Sequence, residues 1–236
     1  MTFPDPCRQI GCMDCRVVFA LRFAMLLAVA AAPLVAQGAT SAEEGPTAEA
    51  RAALEELRAR PDWLFPAQAC PADVMPDSYR DVEYLSEGCE PDLQRCLDDC
   101  KSDDANACYA LALAVQKREE DDAAAEALFL RSCRLGIPSG CTNRAAGMTY
   151  PELETPDSLS CAVRTFEKTC ELDDPWGCTM YAYHLTVGEG VSRDLDRAAR
   201  ALQKSCLYGE IDEACRFAKV VEGMIREARD KASSSP

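Results

Sequence analysis

The chain contains one histidine, His184, and beyond residue 38 it has no Cys-x-x-Cys pair. A lone histidine excludes the multi-histidine centres of metal-dependent hydrolases. Without Cys-x-x-Cys the usual spacing of a redox dithiol is missing; the nearest approach is Cys96-x-x-x-Cys100. There is no glycine-rich phosphate loop and no alternating oxygen-ligand loop with a central glycine, so phosphate cradling and loop-type calcium binding lack their sequence basis. Basic charge is scarce too. Lys and Arg number 25 against 40 Asp and Glu, a formal net charge of -15 over 236 residues. That excess repels nucleic acid and anionic membrane surfaces. It suits a cationic partner, although a solvated acidic surface needs no partner at all.

Cysteine is abundant by contrast, at 15 residues. Cys7, Cys12 and Cys15 precede or open an apolar run, VVFALRFAMLLAVAAAPLVA from Val17 to Ala36, with Arg16 and Arg22 beside it. The run ends in small residues near Gly38 and Ala39. Residues 1–38 therefore read as a secretory signal peptide, with Met13 as an alternative start that would give a more conventional length. A single anchoring helix is the rival reading of twenty mostly apolar residues. No cysteine follows the run closely enough for lipoprotein processing. Beyond the leader stand 12 cysteines, an even number in a chain addressed to the periplasm or the exterior, which favours disulfides over free thiols.

These cysteines are periodic. Cys100–Cys108, Cys133–Cys141 and Cys170–Cys178 are separated by eight positions and Cys206–Cys215 by nine, and their first members lie 33, 37 and 36 positions apart. A period near 36 is the size of a helix–turn–helix repeat. Helical patterns precede each first cysteine at 123–133, 159–170 and 195–206, with Phe129, Phe166 and Leu202 one turn ahead of it. Second helices fit 108–118, 141–150, 178–188 and 215–229. Gly136 and Gly209 suit the ends of first helices; Pro138 and Pro175 suit the starts of second ones. Each pair is then a disulfide across a short turn, worth roughly 2.5 kcal/mol on the chain-entropy estimate. Zinc would need tighter pairs. Cys70, Cys89, Cys96 and Cys161 remain, and four cysteines allow three connectivities. Cys89–Cys96 would pin the approach to the first repeat and leave Cys70 for Cys161, but Cys161 could also reach the preceding repeat or a partner chain. The spacing selects none of these.

Tyr181 to Cys206, YAYHLTVGEGVSRDLDRAARALQKSC, resembles the Sel1-like repeat family, and particularly its secreted cysteine-rich branch. The matching features are Tyr181-Ala182, the Gly188-Glu189-Gly190 turn, Asp194 and Arg197-Ala198-Ala199. The resemblance covers about residues 92–223. The turn after Arg118 lacks the two glycines, and a proline-containing loop replaces them after Thr149. The expected fold is an all-α solenoid of antiparallel helix–turn–helix repeats, similar to tetratricopeptide arrays and cross-linked within each repeat. Residues 39–91 read as a linker, a short helix at 48–60 and an irregular N-terminal cap. Residues 92–223 read as four stapled repeats, and 224–236 as the end of the last helix and a disordered tail.

The resemblance implies a protein- or peptide-binding scaffold, with Tyr109, Tyr150, Tyr181 and Tyr183 on or beside second helices as candidate contacts. No catalytic, cofactor-binding or metal-binding residue is expected, no nucleic-acid partner, and no stable membrane insertion once the leader is removed. Some members of the branch are described as β-lactam-binding or weakly hydrolysing. Yet Ser-x-x-Lys, Ser-Asp-Asn and Lys-Thr-Gly are all missing here, and Ser102-Asp103-Asp104 resembles the second only superficially. A third reading is an assembly factor in which an irregular cysteine exchanges. The aspartate pairs 98–99, 103–104 and 173–174 read as helix caps rather than acid/base pairs, and His184 as a helix-face residue.

Overall fold

The computed structural model describes residues 48–64, 69–80, 88–118, 122–150 and 156–234. The leader (1–38), the linker (39–47) and the acidic inter-repeat turn at 119–121 lie outside them. Every regular element among the described residues is helical. The helices are α1 (Ala48–Arg58), α2 (Pro71–Val74), α3 (Leu93–Lys101), α4 (Ala105–Lys117), α5 (Asp122–Arg134), α6 (Pro138–Gly147), α7 (Pro156–Glu171), α8 (Pro175–Val187), α9 (Leu195–Ala201) and α10 (Glu213–Ser234), with a 3-10 turn at Leu202–Lys204.

From α3 onward each helix packs against the next, so the chain folds back on itself in four hairpins: α3/α4, α5/α6, α7/α8 and α9/α10. Short turns between long apolar-faced helices leave antiparallel packing as the way to bury both faces. Within each hairpin the turn is built alike. The residue three positions after the first cysteine is left-handed: Asp103 (φ 67°), Gly136 (100°), Asp173 (62°) and Gly209 (98°). Its N–H bonds back to the cysteine carbonyl in all four cases. The next N–H reaches five residues back in the first three turns. That pair of bonds closes a helix with a Schellman motif, and glycine or aspartate tolerates the required backbone. Asp104 and Asp174 then cap α4 and α8, accepting from Ala107 N and Gly177 N at 2.9 Å. Asp98 and Asp99 instead lie within α3. Pro138 and Pro175 stand in the first turn of α6 and α8, where a missing N–H costs nothing.

The buried apolar side chains fall into two clusters. One runs from Ala50 to Phe129 and takes in α1, α3, α4 and α5; the other runs from Ala145 to Ile225 and takes in α7, α8, α9 and α10. Alanines fill much of both and let neighbouring helices approach closely. Between the clusters, around α5, α6 and α7, polar groups join the buried Leu130, Ile137 and the Cys133–Cys141 bond: Glu126 pairs with Arg144 at 2.9 Å, and Ser139, Thr142, Thr169 and Asp174 are joined by hydrogen bonds.

Helix α10 continues to Ser234, supported by an i,i+4 pair between Glu227 and Lys231 and by the absence of a helix breaker before Pro236.

Candidate functional site

The four hairpin cysteine pairs are disulfide-bonded, with Cα–Cα separations between 4.3 and 4.6 Å: Cys100–Cys108, Cys133–Cys141, Cys170–Cys178 and Cys206–Cys215. The geometry follows from the turn, which carries the last turn of one helix past the first turn of the next. The residue before each first cysteine is Asp99, Ser132, Thr169 or Ser205, and the residue before each second cysteine is Ala107, Gly140, Gly177 or Ala214. At the two middle hairpins a Cβ on Gly140 or Gly177 would overlap the hydroxyl of Ser132 or Thr169. Close approach therefore demands glycine there.

The remaining four cysteines form Cys89–Cys96 and Cys70–Cys161. Cys89–Cys96 closes a loop onto the start of α3. Cys70–Cys161 spans 91 residues and ties the segment before α2 to α7. This segment, 69–80, runs along α5, α6 and α7 as a strap. Ala72 N donates to Thr165 Oγ1 at 3.1 Å, Lys168 Nζ to Ala72 O at 2.5 Å, and Arg80 N to Gly136 O at 2.9 Å. Arg164 binds Asp73 through both carboxylate oxygens, at 2.8 and 3.3 Å.

The strap occupies a place in the repeat register. Two positions before each later first cysteine stands a cation: Arg131, Lys168 and Lys204. Arg131 donates to Cys100 O and pairs with Asp103 at 2.6 Å; Lys204 donates to Cys170 O and pairs with Asp173 at 2.7 Å. Each thus binds the left-handed turn of the preceding hairpin. The turn preceding Lys168 carries Gly136 in place of the carboxylate, and Lys168 turns to the strap carbonyl instead. Pairwise spacing could have revealed the first two contacts; nothing local announces the third.

Asp174 is buried, and besides Gly177 N it accepts from Ser139 Oγ and Thr142 Oγ1, both at 2.7 Å. With the carboxylate taking the Thr142 proton, Thr142 is left to accept from Thr169 Oγ1 at 2.9 Å. Burial pushes the Asp174 carboxyl up, against the pull of its three donors. The group joins α6 to the hairpin that follows. As one carboxylate engaged in capping and packing, it offers no second acid for paired catalysis.

His184 is buried on α8, stacked on Phe166 at 5.6 Å, with Nδ1 3.1 Å from Glu189 O. Burial lowers its pKa to about 4, and among the described residues no carboxylate orients the ring. Glu126, half-buried beside Arg144, goes the other way: burial raises its pKa to about 7 despite the guanidinium.

The two groups give opposite pH dependences. Glu126 binds its proton more tightly folded than unfolded, so its contribution to stability is full below pH 4.5 and lost as pH rises to about 7. His184 binds its proton less tightly folded, so its contribution is full above pH 6.5 and lost as pH falls to about 4. Each effect reaches at most ~3 kcal/mol, and over the shared window they offset. We expect Glu126→Gln to become more stable from pH 4.5 to 6.5 and His184→Gln to become less stable over the same range, read by urea denaturation at a series of pH values. Parallel curves for both variants and the parent would refute this.

The tyrosines do not form one exposed face. Tyr109 is half-buried with its ring 5.9 Å from Phe129. Tyr150 is half-buried at the end of the turn after α6. Tyr183 meets His184 edge-on and Phe217 at 6.2 Å. Tyr181 is only 5% exposed; Arg197 lies over its ring at 5.2 Å, and burial followed by the Glu167 carboxylate pushes its phenol upward. Tyr181 therefore packs inside rather than projecting. Among the described residues the exposed large apolar side chains are elsewhere, at Tyr79, Leu207, Tyr208, Ile211 and Val220. A cleft of about 430 Å³ near the starts of α1 and α3 is lined by Glu49, Asp92 and Arg95 among others, but Asp92 caps α3 and Arg95 pairs with Asp92 and Asp99.

Among the described residues no group of three or more His, Cys, Asp or Glu is placed to hold a metal ion, and no helix is long and apolar enough to cross a membrane. No protein-family model, curated protein or solved structure matches the chain.

Proposed function

We propose that the chain is an exported, non-catalytic scaffold of Sel1-like helical repeats, a solenoid working in the periplasm or outside the cell, that binds a protein or peptide. The observation that carries this reading is the recurrence of one turn four times: first cysteine, left-handed residue three positions on, second cysteine eight or nine positions on. A repeated, covalently closed unit is the economical way to build an elongated display surface, and such surfaces take extended ligands. Half-buried Tyr109, Tyr150 and Tyr183 are the contacts retained from the sequence reading, since each keeps part of its ring at the surface.

The test is capture from the envelope of the producing cell with the oxidised protein, followed by calorimetry on the purified partner. A saturable 1:1 isotherm that weakens on Tyr183→Ala, with helicity unchanged, is the expected result. The hydrolase reading predicts instead that pure, oxidised protein turns over a chromogenic β-lactam. Sustained turnover would replace the scaffold reading. Export itself is read from the amino terminus of the mature protein, expected near Gly38 or Ala39.

A further inference from the structure

We propose that Cys70–Cys161 is an exchangeable latch, opened by a dithiol reductant, and that opening it releases the strap 69–80 from α7 while the hairpins stay closed. The inference stands independently of what the scaffold binds.

Access distinguishes this bond. Cys100, Cys108, Cys133, Cys141 and Cys178 are 0–1% exposed and Cys170 is 7% exposed, so the first three hairpin bonds lie beneath their own helices. Cys89 and Cys96 are equally covered. Cys70 is half-buried, on a segment carrying the exposed residues Asp73, Asp77, Ser78, Tyr79 and Arg80, while its partner Cys161 is 5% exposed, so a reductant reaches this bond from the Cys70 side. Cys206 is also exposed, but its partner stands nine positions away in the same hairpin. Two thiols released there remain neighbours at high effective concentration and close again. Cys70 and Cys161 are 91 residues apart, and among the described residues it is the strap contacts that hold them together.

Charge distinguishes it too. Arg164 Nη2 lies 3.5 Å from Cys70 Sγ, so a guanidinium, itself paired with Asp73, faces the sulfur of the half-buried cysteine. A thiolate is the attacking species in exchange, and a fixed cation beside the target draws it in and stabilises the sulfur anion that forms later. In the first step a thiolate of the dithiol attacks Cys70 Sγ. A new S–S bond forms, the Cys70–Cys161 bond breaks, and its electron pair leaves on Cys161, which takes a proton from water. In the second step the other thiol of the reductant, deprotonated, attacks the mixed disulfide. The reductant departs as its own disulfide and Cys70 leaves as a thiolate beside Arg164. Two protein thiols are gained and two reductant thiols are lost.

The architecture turns this exchange into movement. The strap lies against α5, α6 and α7, across the polar joint between the two apolar clusters. It is fastened there by the half-exposed Arg164–Asp73 pair, the part-buried Lys168–Ala72 bond and the buried Ala72–Thr165 bond, with Pro71 and Ala72 as its short buried stretch. Exposed ion pairs hold weakly. With the bond open, Arg164, Thr165 and Lys168 lose their strap partners and present two cations on the surface of a strongly acidic protein.

The test uses the oxidised full chain with any free thiols first blocked by N-ethylmaleimide. Dithiothreitol is then titrated in, and newly released thiols are trapped with a second, mass-distinct label. Cys70 and Cys161 should take the second label about tenfold faster than any of Cys100, Cys108, Cys133, Cys141, Cys170 and Cys178. Hydrogen exchange should rise at the Ala72 and Arg80 amides at the same dose, with α4 and α8 still protected. Arg164→Gln separates charge from mere fastening: losing the Asp73 pair alone would speed opening, whereas losing the cation should slow it severalfold. Simultaneous labelling of the hairpin cysteines, labelling without exchange at Ala72, or faster opening of Arg164→Gln would each overturn the latch.

Discussion

Complete reduction of the oxidised chain should unfold it in the absence of denaturant. Each hairpin bond closes a loop of about nine residues, and the chain-entropy estimate gives roughly 2.5 kcal/mol for a loop of that size. Four such bonds together are worth on the order of 10 kcal/mol, comparable to the 5–15 kcal/mol total stability of an ordinary domain. The apolar clusters are thinly provisioned to make up the loss. Among the described residues the largest fully covered side chains are Phe129, Phe166, Met180, His184, Ile137 and seven leucines, and alanines and cysteines fill much of the rest. Far-UV circular dichroism during titration with a phosphine reductant should first keep its helical signal and then lose it cooperatively once the covered bonds open. Hairpin cysteines that are fully reduced while the helical signal and the thermal transition persist would show that packing alone suffices. Removing one staple, as in Cys170→Ala/Cys178→Ala, should cost about 2.5 kcal/mol and leave the fold in place.

Asp174→Ala should destabilise the protein by about 3–5 kcal/mol, more than any other single polar substitution considered above. The substitution removes the cap of α8, ordinarily about 1 kcal/mol. It also strands the hydroxyls of Ser139 and Thr142, each of which donates to the carboxylate at 2.7 Å. A buried donor such as Thr142 left without its acceptor costs about 1–3 kcal/mol, and the part-buried Ser139 less. Part of this is returned, because a buried carboxylate with no facing cation is itself costly, and burial already raises its pKa. Asp174→Asn is the control: the amide keeps one acceptor, the hydroxyls can turn, and the loss should be about 1 kcal/mol. Equal urea midpoints for Asp174→Ala and the parent would mean that the hydroxyls find other partners.

Much of the helical framework was legible because it is local. Cysteines eight apart around a turn residue, an apolar residue one helical turn before, and aspartate or proline at the next helix start all act over fewer than fifteen positions. The helices α3 to α10 fall where those signals stand. The strap was not legible in the same way. Pro71–Val74 and its extended flanks carry no period, and their partners Gly136, Thr165 and Lys168 lie 56–96 positions away. Such a contact is set by tertiary fit, which leaves no spacing to read. Tyr181 and Tyr183 show the same limit at the candidate site. Two residues apart on one helix, they look equivalent in sequence. Only the arrival of α9, with Arg197, decides that Tyr181 is covered and Tyr183 is not. The polar joint stayed hidden because Asp174 reads as a cap, and Glu126, Ser139 and Thr142 belong to no motif until α5, α6 and α7 are stacked.

That joint has a mechanical consequence. Greasy faces can slide by a fraction of an ångström with little penalty, whereas hydroxyl–carboxylate bonds of 2.7 Å tolerate neither sliding nor twisting. The angle between the two halves of the molecule is therefore keyed at the middle and cushioned on either side. Bending between the two halves would load the Asp174 hydrogen bonds together with the Glu126–Arg144 pair and the strap's Cys70–Cys161 bond.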